Sequence, residues 1–148
     1  MRRGRAAMGK TNWSRVFLGG LLAGVVLIVL GLATFAWYLK KLYAPALEAL
    51  GHPMRAMTGV DYIVAIVFSF IVGILAVWLY AAIRPRYGAG AKTAVCSGLT
   101  FWALISLFPS LSLGSMGLFP GNVLLADSLT SLVVYVVATL IGAWVYKE

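Results

Sequence analysis

The chain of 148 residues has one cysteine, one histidine and four acidic residues, and these shortages exclude several kinds of chemistry. A lone Cys96 cannot close an intramolecular disulfide or form the cysteine pairs of a thiol relay. A lone His52, beside Pro53, cannot supply the two axial ligands of a bis-histidine haem or anchor a metal cluster. With only Glu48, Asp61, Asp127 and Glu148 as acids, no acid or histidine has a partner placed for nucleophilic or acid–base catalysis, so an enzyme is not expected. No cofactor is expected either.

Charge is also missing over long stretches, and this reveals what the chain is built for. Between Arg15 and Lys40 lie 24 residues without a single charge. Hydrophobic residues make up 62% of the chain and its mean hydropathy is +0.97, far from the near-half apolar content of soluble domains. A helix must stay apolar for about 20 residues to cross a hydrocarbon layer of about 30 Å. Four segments satisfy this: about 16–39, 62–83, 93–113 and 123–146. The fold class expected is therefore all-α, a polytopic membrane protein of four transmembrane helices in two hairpins, forming one domain with a basic arm over 1–15. Pro85 is expected to end the second span, and Pro109 to kink or shorten the third. The 39–61 loop has a mildly amphipathic pattern broken by Pro45 and Pro53, which suggests a short interfacial helix. The loop over 109–121 reads as a flexible connector, with Leu118 and Phe119 able to dip into lipid.

The basic amino terminus before an apolar run invites comparison with a signal peptide. A signal h-region is typically about 7 to 15 residues, so the uncharged run here reads instead as a retained span. Lysine and arginine fix the threading, because short cytoplasmic loops are enriched in them. Arg2, Arg3, Arg5, Lys10, Arg15, Arg84, Arg86, Lys92 and Lys147 fall on one side, against Lys40, Lys41 and Arg55 on the other. Both termini are expected in the cytoplasm, in an inner (plasma) membrane. The net charge of +8 is then topogenic and calls for no nucleic acid partner.

The second and fourth spans share an offset of 66 positions: Asp61 with Asp127, Trp78 with Trp144, Tyr80 with Tyr146. Interfacial aromatics and acids at helix starts produce such coincidences without duplication, and the first and third spans show no matching register. Small residues at four-residue spacing mark helix contacts, namely Gly20 and Gly24, Ala65, Ser69 and Gly73, Ala94 and Gly98, Ala138 and Gly142. They serve packing within the bundle first, and the same stripes could face a second copy or another membrane protein.

Asp127 is the one ionisable residue expected inside a span. It reads either as an ion or proton site or as a wet first-turn carboxylate favoured by the helix dipole. Asp61 reads as a capping residue. The stretch Gly88 to Ala94 superficially suggests a phosphate-binding loop, but Arg86 and Ala91 occupy the positions where its two glycines are needed, and a membrane helix precedes it, so no nucleotide is expected. It reads as a tight turn, with Thr93 capping the third span and Arg84, Arg86 and Lys92 placed to meet lipid headgroups.

The segment 73–94, with Trp78, Tyr80, Arg84-Pro85-Arg86-Tyr87-Gly88 and Lys92-Thr93, resembles a stretch of small uncharacterised four-span bacterial inner-membrane proteins. That resemblance implies topology and a bacterial origin, and carries no activity. Small multidrug transporters also have four spans, but depend on a glutamate in the first, which here has no acid. The function expected is a structural or accessory membrane component acting through a partner or lipid. The alternative is a small transporter or channel component using Asp127.

Overall fold

The computed structural model describes residues 11–146, so most of the basic arm, with Arg2, Arg3, Arg5 and Lys10, and the terminal Lys147 and Glu148 lie outside the described residues. The described chain is helical throughout, with four helices long and apolar enough to cross a membrane. Each begins and ends for a local reason. Asn12 accepts a hydrogen bond from the Arg15 amide and starts α1 (Trp13–Thr34). A π-helical turn over Phe35–Leu39 joins it to α2 (Lys40–Ala49), so the first helix is one unit of 37 residues. At 1.5 Å per residue it is about 55 Å long, well beyond the hydrocarbon thickness, and α2 must therefore project out of the apolar layer.

Thr58 and Asp61 form a reciprocal capping box that starts α3 (Gly59–Tyr87). Arg55 clamps the same carboxylate with two bonds of 2.8 and 2.9 Å. These bonds hold the guanidinium above its ordinary value, so the clamp is charged at any physiological pH. Gly88, at φ 87°, takes the positive φ that favours glycine and closes the helix. The third helix is α4 (Ala91–Trp102), a second π turn over Ala103–Leu107, and α5 (Phe108–Ser115). It ends where Gly117, at φ 68°, lets the Leu118 amide reach back to the Leu113 carbonyl. The fourth is α6 (Gly121–Val145).

Several expectations change. Pro45 and Pro85 lie inside helices instead of ending them: α2 runs on to Ala49 and α3 to Tyr87. The loop expected over 39–61 shrinks accordingly to residues 50–58. Pro109 does not shorten the third helix. The ring of a proline crowds the carbonyl four residues before it, here Ile105, and that carbonyl belongs to the π turn, where the ladder is already widened. Thr93 does not cap by accepting a bond. It sits inside α4, whose cap is Gly90, and donates its hydroxyl to the Gly88 carbonyl at 2.7 Å. Phe119 sets its ring edge-on to Tyr43, with centroids 5.4 Å apart.

The helices pack in a ring in which α1 lies between α3 and α6, and α4 also lies between them. One end of the ring holds Asn12, the Gly88–Gly90 turn and Tyr146, and is called here the terminal end. The far end holds the loops over 50–58 and 116–120.

Helix contact is closest in the terminal half. A methyl on Gly73 would run into the Gly20 carbonyl and would stand 2.6 Å from the Gly24 nitrogen. One on Gly142 would meet the Gly19 carbonyl at 2.7 Å, and one on Gly98 the Val136 Cα at 3.0 Å. Backbones so close leave no room for a side chain, which is how helices gain dispersion contact where lipid offers no hydrophobic drive. Ser97, fully buried, adds a cross-helix hydrogen bond to the Ala76 carbonyl at 2.7 Å.

The terminal end also repeats itself. Tyr80 and Tyr146 are both buried, with rings edge to face and centroids 6.0 Å apart. The Tyr80 hydroxyl accepts from the amide of Gly90, the cap of α4, and the Tyr146 hydroxyl from the amide of Asn12, the cap of α1, each at 3.3 Å. Their tryptophan neighbours Trp78 and Trp144 point outward and are exposed. The first and third helices therefore do have a register here, 78 positions apart, where the sequence offered none.

Candidate functional site

The far half of the bundle is built differently. Gly31 in α1 has nothing within 4 Å of the place its side chain would take, in contrast to Gly20 and Gly24 below it. The helices here diverge around a cavity of about 260 Å³ between α1, α3 and α6.

Asp127 opens onto that cavity. It is the seventh residue of α6, in its second turn, and the first turn of that helix contains no acid. A first-turn capping role is thus ruled out by the helix starting earlier than the apolar pattern suggested. Six residues at 1.5 Å place it about 9 Å along a helix of about 37 Å, which puts it about 5 Å inside a centred hydrocarbon layer of about 30 Å. The carboxylate is half-buried and accepts a hydrogen bond from the Tyr43 hydroxyl at 3.2 Å.

The π turn is what brings Tyr43 to it. Counted along straight helices, Tyr43 stands about 45 Å from Trp13 and Asp127 about 27 Å from Val145, a difference longer than a tyrosine side chain. Since the first and last helices are level at the terminal end, the chain beyond Thr34 leans over the end of α6. Thr34, just before the turn, donates its hydroxyl to the Leu30 and Gly31 carbonyls at 2.8 and 3.0 Å. Such back-bonding and a π turn are both local causes of helix bending.

The hydroxyls around the cavity share one feature. Besides Thr34, Ser69 donates to the Ala65 carbonyl, and Thr130 to the Ala126 and Asp127 carbonyls. Ser131 lies 3.0 Å from the Ser128 carbonyl and 2.6 Å from the Ser106 hydroxyl. Each hydroxyl carries one hydrogen, and for Thr34, Ser69 and Thr130 a helix carbonyl takes it, so their lone pairs are what remains for the cavity. Phe35, Phe68, Tyr135, Leu27, Val72 and Val134 supply apolar and aromatic wall.

No protein-family model, curated protein or solved structure matches this chain. The site must therefore be read from its own geometry.

Of the residues marked in the sequence, Asp127 and Ser69 meet at this cavity, Ser69 as a lining hydroxyl bonded to the Ala65 carbonyl. Gly20, Gly24, Gly73, Gly98 and Gly142 all lie at backbone contacts, and Gly19 joins them although no four-residue stripe included it. Arg84, Arg86 and Lys92 are at the terminal end, remote from Asp127. Arg84 stands over the Tyr146 ring at 5.5 Å, a cation–π contact, while Arg86 and Lys92 are exposed. Tyr43, Thr34 and the π turn went unmarked. The only trace of Tyr43 in the sequence is its place three residues after Lys40, where a loop was expected.

Proposed function

We propose that this chain is a small transporter or channel component of a bacterial inner membrane that binds a cationic species at Asp127. The observation that supports this is the inward carboxylate, in the second turn of a helix long and apolar enough to cross a membrane, facing a cavity and hydrogen-bonded to Tyr43. Ionisable groups at such depth cost several kcal/mol unless paired or solvated by a ligand pathway, and they mark such pathways as a rule. The excess of lysine and arginine at the terminal end, together with the basic arm, favours a cytoplasmic placement of both termini. The cavity then faces the outside, and the glycine contacts below it close the cytoplasmic half.

Reconstitution into liposomes tests the reading. Charge movement driven in turn by gradients of protons, sodium and simple ammonium salts is expected with the native chain and is expected to vanish with Asp127→Asn. Currents of equal size from the variant would refute it.

The second reading, a structural or accessory component acting through lipid or a membrane protein partner, is favoured by the closed terminal half. A bundle sealed by backbone contacts has no path across it as it stands. Arg84, Arg86 and Lys92 would then anchor it on anionic lipid headgroups. Native mass spectrometry from a gentle detergent, showing a stoichiometric protein or lipid companion with no Asp127-dependent currents, would select this reading.

A further inference from the structure

The lining of the Asp127 cavity narrows the kind of cation it takes. This step rests on the proposed role of Asp127 and goes further, to the class of ligand. A divalent metal ion asks for about six to eight oxygen ligands with enough negative charge to offset its own. The cavity offers a single carboxylate, and among the described residues no three of His, Cys, Asp and Glu come together. A bare ion would also fill little of the 260 Å³, since a water-sized body takes about 30 Å³. Most of the wall is aromatic and aliphatic, which suits a ligand with a carbon body. That volume is below the roughly 300–1,000 Å³ of sites for drug-sized molecules, so the body must be small.

The polar part of the lining fits a donor. Thr34, Ser69 and Thr130 spend their hydrogens on helix carbonyls and turn lone pairs to the cavity, and Asp127 is an acceptor that takes a hydrogen bond from Tyr43. Among these groups an anion or a carbonyl compound finds no donor, and the Tyr135 hydroxyl, the donor that the rest of the lining adds, stands on a wall that carries no positive charge. A protonated amine finds a counter-ion, hydroxyl acceptors for its N–H groups, and ring faces in Phe35, Phe68 and Tyr135 that attract cations.

We propose that the cavity between α1, α3 and α6 binds a small primary ammonium, with its N–H groups on Asp127 and the hydroxyl lone pairs and its carbon body against the aromatic wall. Phe35 stands between the Asp127 cavity and a larger hollow of about 700 Å³ beside α2 and the 53–57 loop, bordering both.

The test uses the full chain in lipid nanodiscs, titrated with benzylammonium, tetramethylammonium and sodium chlorides and with benzyl alcohol, and read by calorimetry. Saturable binding of benzylammonium is expected, with the other three binding at least about tenfold more weakly because each lacks either the charge, the N–H donors or the carbon body. Asp127→Asn, nearly isosteric, should weaken benzylammonium by roughly tenfold to a hundredfold, the range for losing a charged hydrogen bond. Thr130→Val, which keeps the shape, should weaken it less and guards against misfolding of the first variant. Equal binding of benzyl alcohol, or unchanged affinity in Asp127→Asn, would overturn the proposal. If benzylammonium does not bind while Asp127-dependent proton or sodium currents persist, the ligand class is wrong and the reading of the site stands. If the amine binds through Asp127 but no currents are found, the ligand class stands and transport fails.

Discussion

The two halves of this bundle use similar residues to opposite ends. In the terminal half, glycines and small residues bring backbones into contact, a buried serine bridges two helices, and two tyrosines tie the helix starts together in repeating fashion. In the far half, a glycine of the same helix faces empty space, and Thr34, Ser69 and Thr130 bond within their own helices while Ser106 and Ser131 join the third and fourth. There a π turn interrupts the first helix, whose continuation α2 brings Tyr43 onto Asp127. The aspartates 66 positions apart show the same divergence. Asp61 is capped and clamped at the surface by Thr58 and Arg55, whereas Asp127 is turned into the bundle. The contrast lies in how closely backbones approach and not in hollows, since the terminal end has one too, of about 370 Å³ beside Tyr80, Arg84 and Tyr146. A scaffold held together by backbone contacts in one half can hold a polar site in the other at little cost to its cohesion.

The sharpest way to break that contrast is Gly73→Val. Its branched side chain would be driven into the backbone of α1 at Gly20 and Gly24, and a loss of about 3 kcal/mol is expected, the upper part of the usual range for overpacking. Thermal or denaturant unfolding in a mild detergent measures it, and a loss below about 1 kcal/mol would mean that the terminal half is looser than its geometry implies.

Ser97→Ala sharpens the same comparison on the polar side. It removes the buried bond to the Ala76 carbonyl, and a loss of about 1 kcal/mol is expected, in line with other interhelical hydrogen bonds in membranes. An effect indistinguishable from zero would assign the cohesion to the glycines alone.

The smallest effect belongs to Gly31→Ala in the far half. Its new methyl meets nothing within 4 Å, and alanine is the better helix former, so stability should hold or rise by about 0.5 kcal/mol. A loss comparable with that of Gly73→Val would show that the far half is packed as tightly as the other, and the contrast would fail.

Much of the fold was legible because a bilayer imposes a single strong rule. Uncharged runs of the right length must be helices, and these four runs are. Ends were less legible. Pro85 suggested a stop and Pro45 a break in the loop pattern, yet a proline near the end of a long helix leaves only one or two carbonyls without partners, and these lie where water or headgroups reach them. The candidate site was half visible. Asp127 stood out as a charge in an apolar run, but its partner Tyr43 lay in a loop read as carrying at most a short interfacial helix, because Lys40 and Lys41 end the apolar run and a weak amphipathic pattern does not show that α2 continues the first helix.

Composition and spacing thus settled that the chain is a four-helix membrane protein, since hydrophobic length is a one-dimensional property. They also marked Asp127 and most of the glycines at which helices touch. Only the tertiary structure decided which glycine meets which backbone, that Asp127 faces a cavity, and that Tyr43 reaches it over a bent first helix. Those are facts of rotation and depth, and within a span that is apolar on every side no periodicity records which face looks inward.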